Sequence, residues 1–290
     1  MKWPVYLRLG RVSNLPTVWT NVLAGVSLAD APLQPATVTA LIAALSLFYI
    51  GGMYLNDAFD REIDSRERPE RPIPSGLVSA REVFGIGYGM FAVALLILAA
   101  HAFWRGGRPS WAPLASGLAL AALITYYDAR HRRDPLSPVV MGLCRVLVYV
   151  TAAVAVADRL APPVLGGALV LLLYLIGLTY VAQQELLSEY RNLWPLAFLG
   201  APFVYGVPVL LGGGGGALIY VGFLGWVCYA ISMLVRKRRT NIPGAVISFI
   251  AGISLLDALL IAGTENSGAA GWGVVGFGLT LFFQRYIRGT

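Results

Sequence analysis

Asn56, Asp57, Asp60 and Asp64 lie where a long apolar run gives way to the most charged part of the chain. On a continuing helix Asn56, Asp60 and Asp64 are spaced i, i+4 and i+8, and Asp57 precedes Asp60 by three residues, so one face can carry all of them. Like charges gathered this closely cost free energy unless something neutralises them. Oxygen ligands of this kind suit a hard cation, Mg2+ above all when phosphate supplies the remaining ligands. The competing reading is a solvated helix end that marks a membrane surface. Directly downstream come Arg66, Arg68 and Arg71, the last opening the run Arg71-Pro72-Ile73-Pro74-Ser75-Gly76. Prolines stiffen that loop, and guanidinium forks grip phosphate oxygens. Carboxylates beside arginines predict a metal with a polyphosphate: Asn56, Asp57, Asp60 and Asp64 as metal ligands, the three aspartates as the catalytic acids, and Arg68 and Arg71 on the phosphates.

The stretch from Asn56 to Asp64 has the form NDxxDxxxD and is followed by Arg68-Pro69-Glu70-Arg71-Pro72-Ile73-Pro74-Ser75-Gly76. Together they resemble the UbiA superfamily of intramembrane prenyltransferases. Within this block the likeness is greatest to the branches that include chlorophyll synthase and the archaeal geranylgeranylglyceryl phosphate prenyltransferases. Elsewhere the match is in the order of helices and loops. The resemblance implies an all-helical membrane fold, an isoprenyl diphosphate bound through Mg2+, and transfer of the isoprenyl group to an acceptor.

Glu185 and Glu189, i and i+4, follow Gln183 and Gln184 at the end of a later apolar run. Two glutamates at a span end can simply be solvated. The family carries a second acidic motif at this place, typically DxxxD, and this chain has ExxxE. The resemblance therefore implies Glu185 and Glu189 as ligands of a second cation, with Gln184 as a neutral substitute near the diphosphate. In the loop Asp128-Ala129-Arg130-His131-Arg132-Arg133-Asp134 the bases either anchor a helix end or bind diphosphate. The family often has lysine or arginine here, which favours Arg132 and Arg133 as diphosphate ligands. His131 is expected at the surface, and His101 has no assigned role.

Arg145 lies inside an apolar run, where a charge is costly unless it faces a polar cavity or a partner, so it is expected to line the site. Asp257 is equally costly and isolated in sequence, and a structural hydrogen bond is expected for it. The segment Arg11-Val12-Ser13-Asn14-Leu15-Pro16-Thr17 resembles the family stretch that enters the first span beside the acceptor pocket, with Asn14 and Asn21 two turns apart on one stripe. Arg11 as an inside charge and Asn14 as a helix cap are equally open. Tyr54, Tyr126, Tyr149 and Tyr180 are candidates for steadying a cation over their ring faces, against the commoner roles of packing and interface anchoring. No residue identifies an acceptor base.

The elements that must hold these groups are apolar. Of 290 residues 57% are hydrophobic and 13% charged, which fits a polytopic membrane protein far better than a soluble globule. The net charge of +7 resides in short loops between apolar runs, a pattern of membrane orientation and not of nucleic-acid binding. Cys144 and Cys228 offer neither metal-ligand spacing nor a disulfide framework. The amino terminus lacks a cleavable signal pattern.

Apolar runs long enough to cross a bilayer are expected near residues 14–30, 36–58, 80–102, 111–128, 137–157, 163–184, 193–211, 216–235, 243–262 and 271–287. They make one integral-membrane domain over residues 1–290, an all-α bundle of nine to ten spans, with Gly85, Gly87 and Gly89 allowing close helix contact. Gly212 to Gly216 is read as a flexible connector. The basic loops, including Arg61 to Arg81, Arg130 to Arg133 and Arg236 to Arg239, fall on one side, so the positive-inside rule places the acids and both termini in the cytoplasm, most simply of a bacterial-type plasma membrane. The expected function is Mg2+-dependent transfer of an isoprenyl group to a lipophilic or amphipathic acceptor, with membrane lipid around the bundle and no protein or nucleic-acid partner required. A secondary transporter and a non-catalytic binder of lipid diphosphates are the alternatives. Acids clustered at one face, away from mid-bilayer, argue against the transporter.

Overall fold

The computed structural model describes residues 3–104, 110–157, 159–183, 194–235 and 241–287, and these form helices and connecting turns with no strand. A short α1 (Trp3–Leu9) and a 3-10 turn lead into α2 (Leu15–Leu28), and α3 (Pro35–Phe59) is followed after one residue by α4 (Arg61–Glu67). Next come α5 (Ala80–Trp104), α6 (Ala112–Arg130), α7 (Ser137–Val156) and α8 (Pro162–Gln183). The carboxy-terminal part holds α9 (Ala201–Tyr205), α10 (Val207–Leu211), α11 (Gly214–Val235), α12 (Ile242–Ala262) and α13 (Ala270–Tyr286).

Proline at the first or second position starts α2, α3, α6, α7 and α12. Its missing N–H falls where the helix has no acceptor to offer, so it sets the start without cost. Six helices, α3, α5, α7, α8, α11 and α12, are long and apolar enough to cross a membrane, since about 20 residues of helix span the roughly 30 Å hydrocarbon core. The run at 193–211 is no single helix: a 3-10 stretch, Trp194–Gly200, passes into the short α9 and α10. Pro195, Pro202 and Pro208 each remove a ladder donor, which breaks the run in spite of its length and apolarity. α2, at 14 residues, is shorter than the apolar run that contains it, and α13 has 17.

α3 packs along α5, and α2 sits centrally against α7, α12 and α13. The α3–α5 approach depends on paired glycines, because a Cβ on Gly51 would lie 2.9 Å from the Gly87 carbonyl and one on Gly87 2.9 Å from Leu55. Gly85 and Gly89, expected to share that role, face open space. α12 is buried along most of its length, so the helices that carry the polar groups surround an element hidden from lipid.

Candidate functional site

Asp60 is the residue between α3 and α4. Its N–H still bonds the Asn56 carbonyl at 3.0 Å, and the Asp64 N–H bonds the Asp60 carbonyl at 2.9 Å. The i to i−4 ladder therefore carries through the joint, and Asn56, Asp57, Asp60 and Asp64 are all buried. The following loop folds back over them. Leu77 N bonds Pro72 O at 3.1 Å and Ser75 N bonds Arg71 O at 3.0 Å, while Gly76 takes the left-handed conformation, φ +76, that a side chain would resist.

This fold-back carries Arg71 onto the acids, with Nη1 2.7 Å from Asp64 Oδ2 and 3.3 Å from Asp57 Oδ1. Arg11 reaches the same cluster from the other side, 3.4 Å from Asp57 Oδ1 and 3.5 Å from Asn56 Oδ1, out of a left-handed turn at φ 42. Arg132 comes from the α6–α7 loop, 3.2 Å from Asp60 Oδ2 and 3.2 Å from Glu67 Oε2. Burial works to raise the Asp60 carboxyl, but hydrogen bonds from His131 and Arg132 outweigh it and hold Asp60 below the ordinary carboxylate value. Asp64 goes the other way: burial raises it, Arg71 only partly offsets that, and Asp60 and Asp57 add repulsion. Its Oδ1 is buried without a hydrogen bond, 3.8 Å from Arg132. Among the described residues no three His, Cys, Asp or Glu groups converge closely enough to hold a metal by themselves, because arginines stand between the acids.

Beside this cluster opens a cavity of about 310 Å³. Arg11, Arg68, Arg71 and Arg145 line it together with a single carboxylate among the described residues, Asp128. The rest of the wall is mainly apolar, including Phe48, Leu120, Ile124, Leu175 and Ile250. Asn14 and Thr179 also face it. Arg145 lies over the Tyr49 ring at 5.2 Å and donates to Asn21 Oδ1 at 2.8 Å and Thr17 Oγ1 at 3.1 Å. Behind Asn21 sits Asp257, fully buried, which accepts from Asn21 at 2.8 Å and from Thr20 and Tyr149. Asp257 is thus isolated in sequence only. Side chains from α2 and α7 satisfy it, and Asn21 joins it to Arg145.

Several expectations are corrected by this geometry. Tyr126 is 43% exposed and bonds Asp134, and its neighbour Tyr127 faces the cavity instead. Tyr54 is buried outside the cavity, donating to the Tyr6 carbonyl, and Tyr180 pairs with Trp194. Tyr149 holds Asp257, and Asn21 is placed behind Arg145. Arg133 is exposed, with no contact to the acids among the described residues. His131, expected at the surface, stacks on Tyr127 and reaches Asp60 at 3.5 Å. Gln184, Glu185 and Glu189 lie outside the described residues. Tyr49, Tyr127 and Asp128 escaped the reading of the sequence; only the stripe Leu120, Ile124, Tyr127 and Asp128, at helical spacing, could have pointed to the last two.

Comparison with known proteins follows the same outline. The model of the UbiA prenyltransferase family matches residues 15–253. This chain belongs to the UbiA prenyltransferase family. It is therefore a prenyltransferase, and with its six long apolar helices an integral membrane protein. It is similar to digeranylgeranylglyceryl phosphate synthase of Methanopyrus kandleri, 29% identical over 282 residues, which covers 91% of this chain and 92% of the relative. The synthase of the same name from Ignicoccus hospitalis is 40% identical over 98 residues, 33% of this chain and 31% of the relative. Among solved structures, a UbiA homolog from Archaeoglobus fulgidus bound to GPP and Mg2+ superposes with a TM-score of 0.63 at 14% identity, covering 94% of this chain and 99% of that one. A digeranylgeranylglyceryl phosphate synthase structure gives 0.59 at 20% identity over 90% and 98%. At these identities the structural likeness speaks for the fold.

Proposed function

We propose that this UbiA-family enzyme transfers an isoprenyl group from an isoprenyl diphosphate, held with Mg2+, to an amphipathic acceptor whose reacting group enters the same cavity. The observation that carries this reading is the wall of that cavity, where four guanidinium groups border a mostly apolar chamber. Such a wall suits a ligand with an anionic head and a greasy body. Carboxylate and amide oxygens are the donors a hard cation takes, and Asp64 Oδ1 and Asp128 Oδ2, buried without a hydrogen bond, are oxygens that a cation would satisfy. The residues present therefore fit Mg2+, with Asn56, Asp57, Asp60 and Asp64 to hold it. Bound there, the ion would neutralise charge on the diphosphate as it leaves.

Arg71, Arg68 and Arg11 stand at the cavity edge and would take the phosphate oxygens, Arg71 and Arg11 turning from Asp57 as substrate arrives. Arg132, fixed on Asp60, would close the other side. Because these charges are in place before the allylic C–O bond breaks, they favour the transition state over the ground state. Apolar side chains below would exclude water from the allylic cation. Arg145 marks the acceptor side, since a guanidinium repels that cation and attracts an oxygen-rich or anionic group. The names of the relatives make a glyceryl phosphate lipid the first acceptor to try. Glu185 and Glu189 would serve a second cation, and the basic loops would face the cytoplasm of a bacterial-type plasma membrane, with residues 1–290 acting as one membrane domain.

Purified protein incubated with labelled geranylgeranyl diphosphate, Mg2+ and geranylgeranylglyceryl phosphate tests the reading. Diphosphate release with transfer of label to the acceptor, abolished in Asp60→Ala, is expected. Solute flux in vesicles without any release would overturn it.

A further inference from the structure

Asp128 occupies the last turn of α6, on the stripe that turns Leu120, Ile124 and Tyr127 toward the cavity. It is 4% exposed, and among the described residues it is the one carboxylate on the cavity wall. Its Oδ1 accepts a hydrogen bond from Asn56 Nδ2 at 3.2 Å. Its Oδ2 is buried with no hydrogen-bond partner. A buried acceptor oxygen without a partner is destabilising unless a donor or a cation arrives to meet it.

The contact with Asn56 has a directional consequence. An amide presents a donor at one end and an acceptor at the other. With Nδ2 held by Asp128, Asn56 Oδ1 is turned away from α6 toward the Arg11 guanidinium, 3.5 Å distant, on the side where the acids gather. A carboxylate at position 56 would meet Asp128 as like charge against like charge. Asparagine is the residue type that can bond Asp128 and still offer an oxygen to a cation.

We propose that Asp128 is a positioning residue of the cation and diphosphate site: it fixes the Asn56 amide so that Oδ1 faces the cation, and its free Oδ2 offers a further anionic oxygen to the hydrated ion. The inference rests on the reading of the preceding subsection. Mg2+ habitually keeps several waters, so a carboxylate on the wall acts on it without replacing the acids of α3 and α4.

The test reads metal affinity, not turnover. The full chain in detergent, with geranylgeranyl thiodiphosphate as an analogue that resists ionisation, is titrated with Mn2+, and free Mn2+ is followed by electron paramagnetic resonance. Asp128→Leu, which keeps the bulk and removes both oxygens and so the acceptor for Asn56 Nδ2, is expected to weaken Mn2+ binding by about 10- to 100-fold, the usual effect of losing a group that orients a metal ligand. Asn56→Asp is expected to weaken it through repulsion, and Asn56→Asp/Asp128→Asn to recover most of the loss by restoring one amide facing one carboxylate. Recovery cannot come from a chain that has failed to fold. Binding by the wild type that is unchanged in Asp128→Leu, or a double variant no better than Asn56→Asp, overturns this inference and leaves the proposed function standing. A wild type that binds no Mn2+ under these conditions overturns both.

Discussion

Arg71 Nη1 lies 2.7 Å from Asp64 Oδ2, in a pair whose acidic side chain is 1% exposed. The ladder through Asp60 brings Asp64 there, and the proline-stiffened loop brings Arg71 back. Removing one member of a buried ion pair leaves the other charge uncompensated, at a cost of about 3–5 kcal/mol. Arg71→Ala should therefore lower the thermal unfolding temperature of the protein in detergent without substrate. Arg71→Lys should recover most of that stability while still binding prenyl diphosphate more weakly, because an ammonium lacks the planar fork. Unfolding scans and diphosphate affinity on the same preparations separate the two effects; equal affinity in Arg71→Lys and the wild type would count against a phosphate role.

Asp60 is held by Arg132 and approached by His131, so its charge is well supported before any cation binds. Asp60→Asn keeps the shape and removes the charge. We expect kcat for diphosphate release to fall by roughly 100- to 1000-fold, the scale for losing one preorganised electrostatic group at a reacting centre. Chelation of divalent ions should abolish release in the wild type, and Mg2+ should restore it. Turnover that survives chelation would contradict the part assigned to the metal.

How much of this was legible in the sequence follows from how local each feature is. Asn56 to Asp64 sit within one ladder, so spacing alone puts them on one face, whereas the pairing of Arg71 with Asp64 comes from the fold-back of the loop that carries it. Asp128 was missed because its importance comes from Asn56, 72 residues away in sequence. Choosing Tyr126 over Tyr127 failed for another reason: neighbours on a helix point about 100° apart, and in a bundle whose lipid-facing side is also apolar the pattern gives little sign of which face turns inward. Asp257 looked isolated because its partners come from α2 and α7. The break at 194–211 is written in Pro195, Pro202 and Pro208, whose missing N–H groups outweigh the length and apolarity of the run.

Gly51, inside the α3–α5 contact, and Gly89, on a face of α5 that meets nothing, offer a comparison in stability. A Cβ at Gly51 would meet the Gly87 carbonyl and the Phe91 ring at 2.9 Å, whereas one at Gly89 meets nothing within 4 Å. Gly51→Val is expected to destabilise by about 1–3 kcal/mol through overpacking. Gly89→Ala should be neutral or slightly stabilising, since helical glycine is worse than alanine by about 1 kcal/mol. Thermal unfolding in one detergent compares them directly; equal effects at both positions would mean that the helices do not approach at Gly51.

Arg145 and Asp257 share Asn21, which accepts from the first and donates to the second. If Asp257 serves to hold Asn21 and thereby aim Arg145, losing either end should have the same kinetic signature with different structural costs. Arg145→Met retains bulk and removes the charge at the cavity wall, so the KM for a phosphate-bearing acceptor should rise about tenfold or more while the KM for prenyl diphosphate stays near its wild-type value. Asp257→Asn loses the carboxylate that takes hydrogen bonds from Thr20, Asn21 and Tyr149. It should raise the same acceptor KM by a smaller factor and also lower the unfolding temperature, because a buried network that is partly unsatisfied is worse than one that is complete. A neutral acceptor of the same chain length should feel neither substitution. Equal losses with charged and neutral acceptors would instead assign the whole network to holding α2, α7 and α12 together.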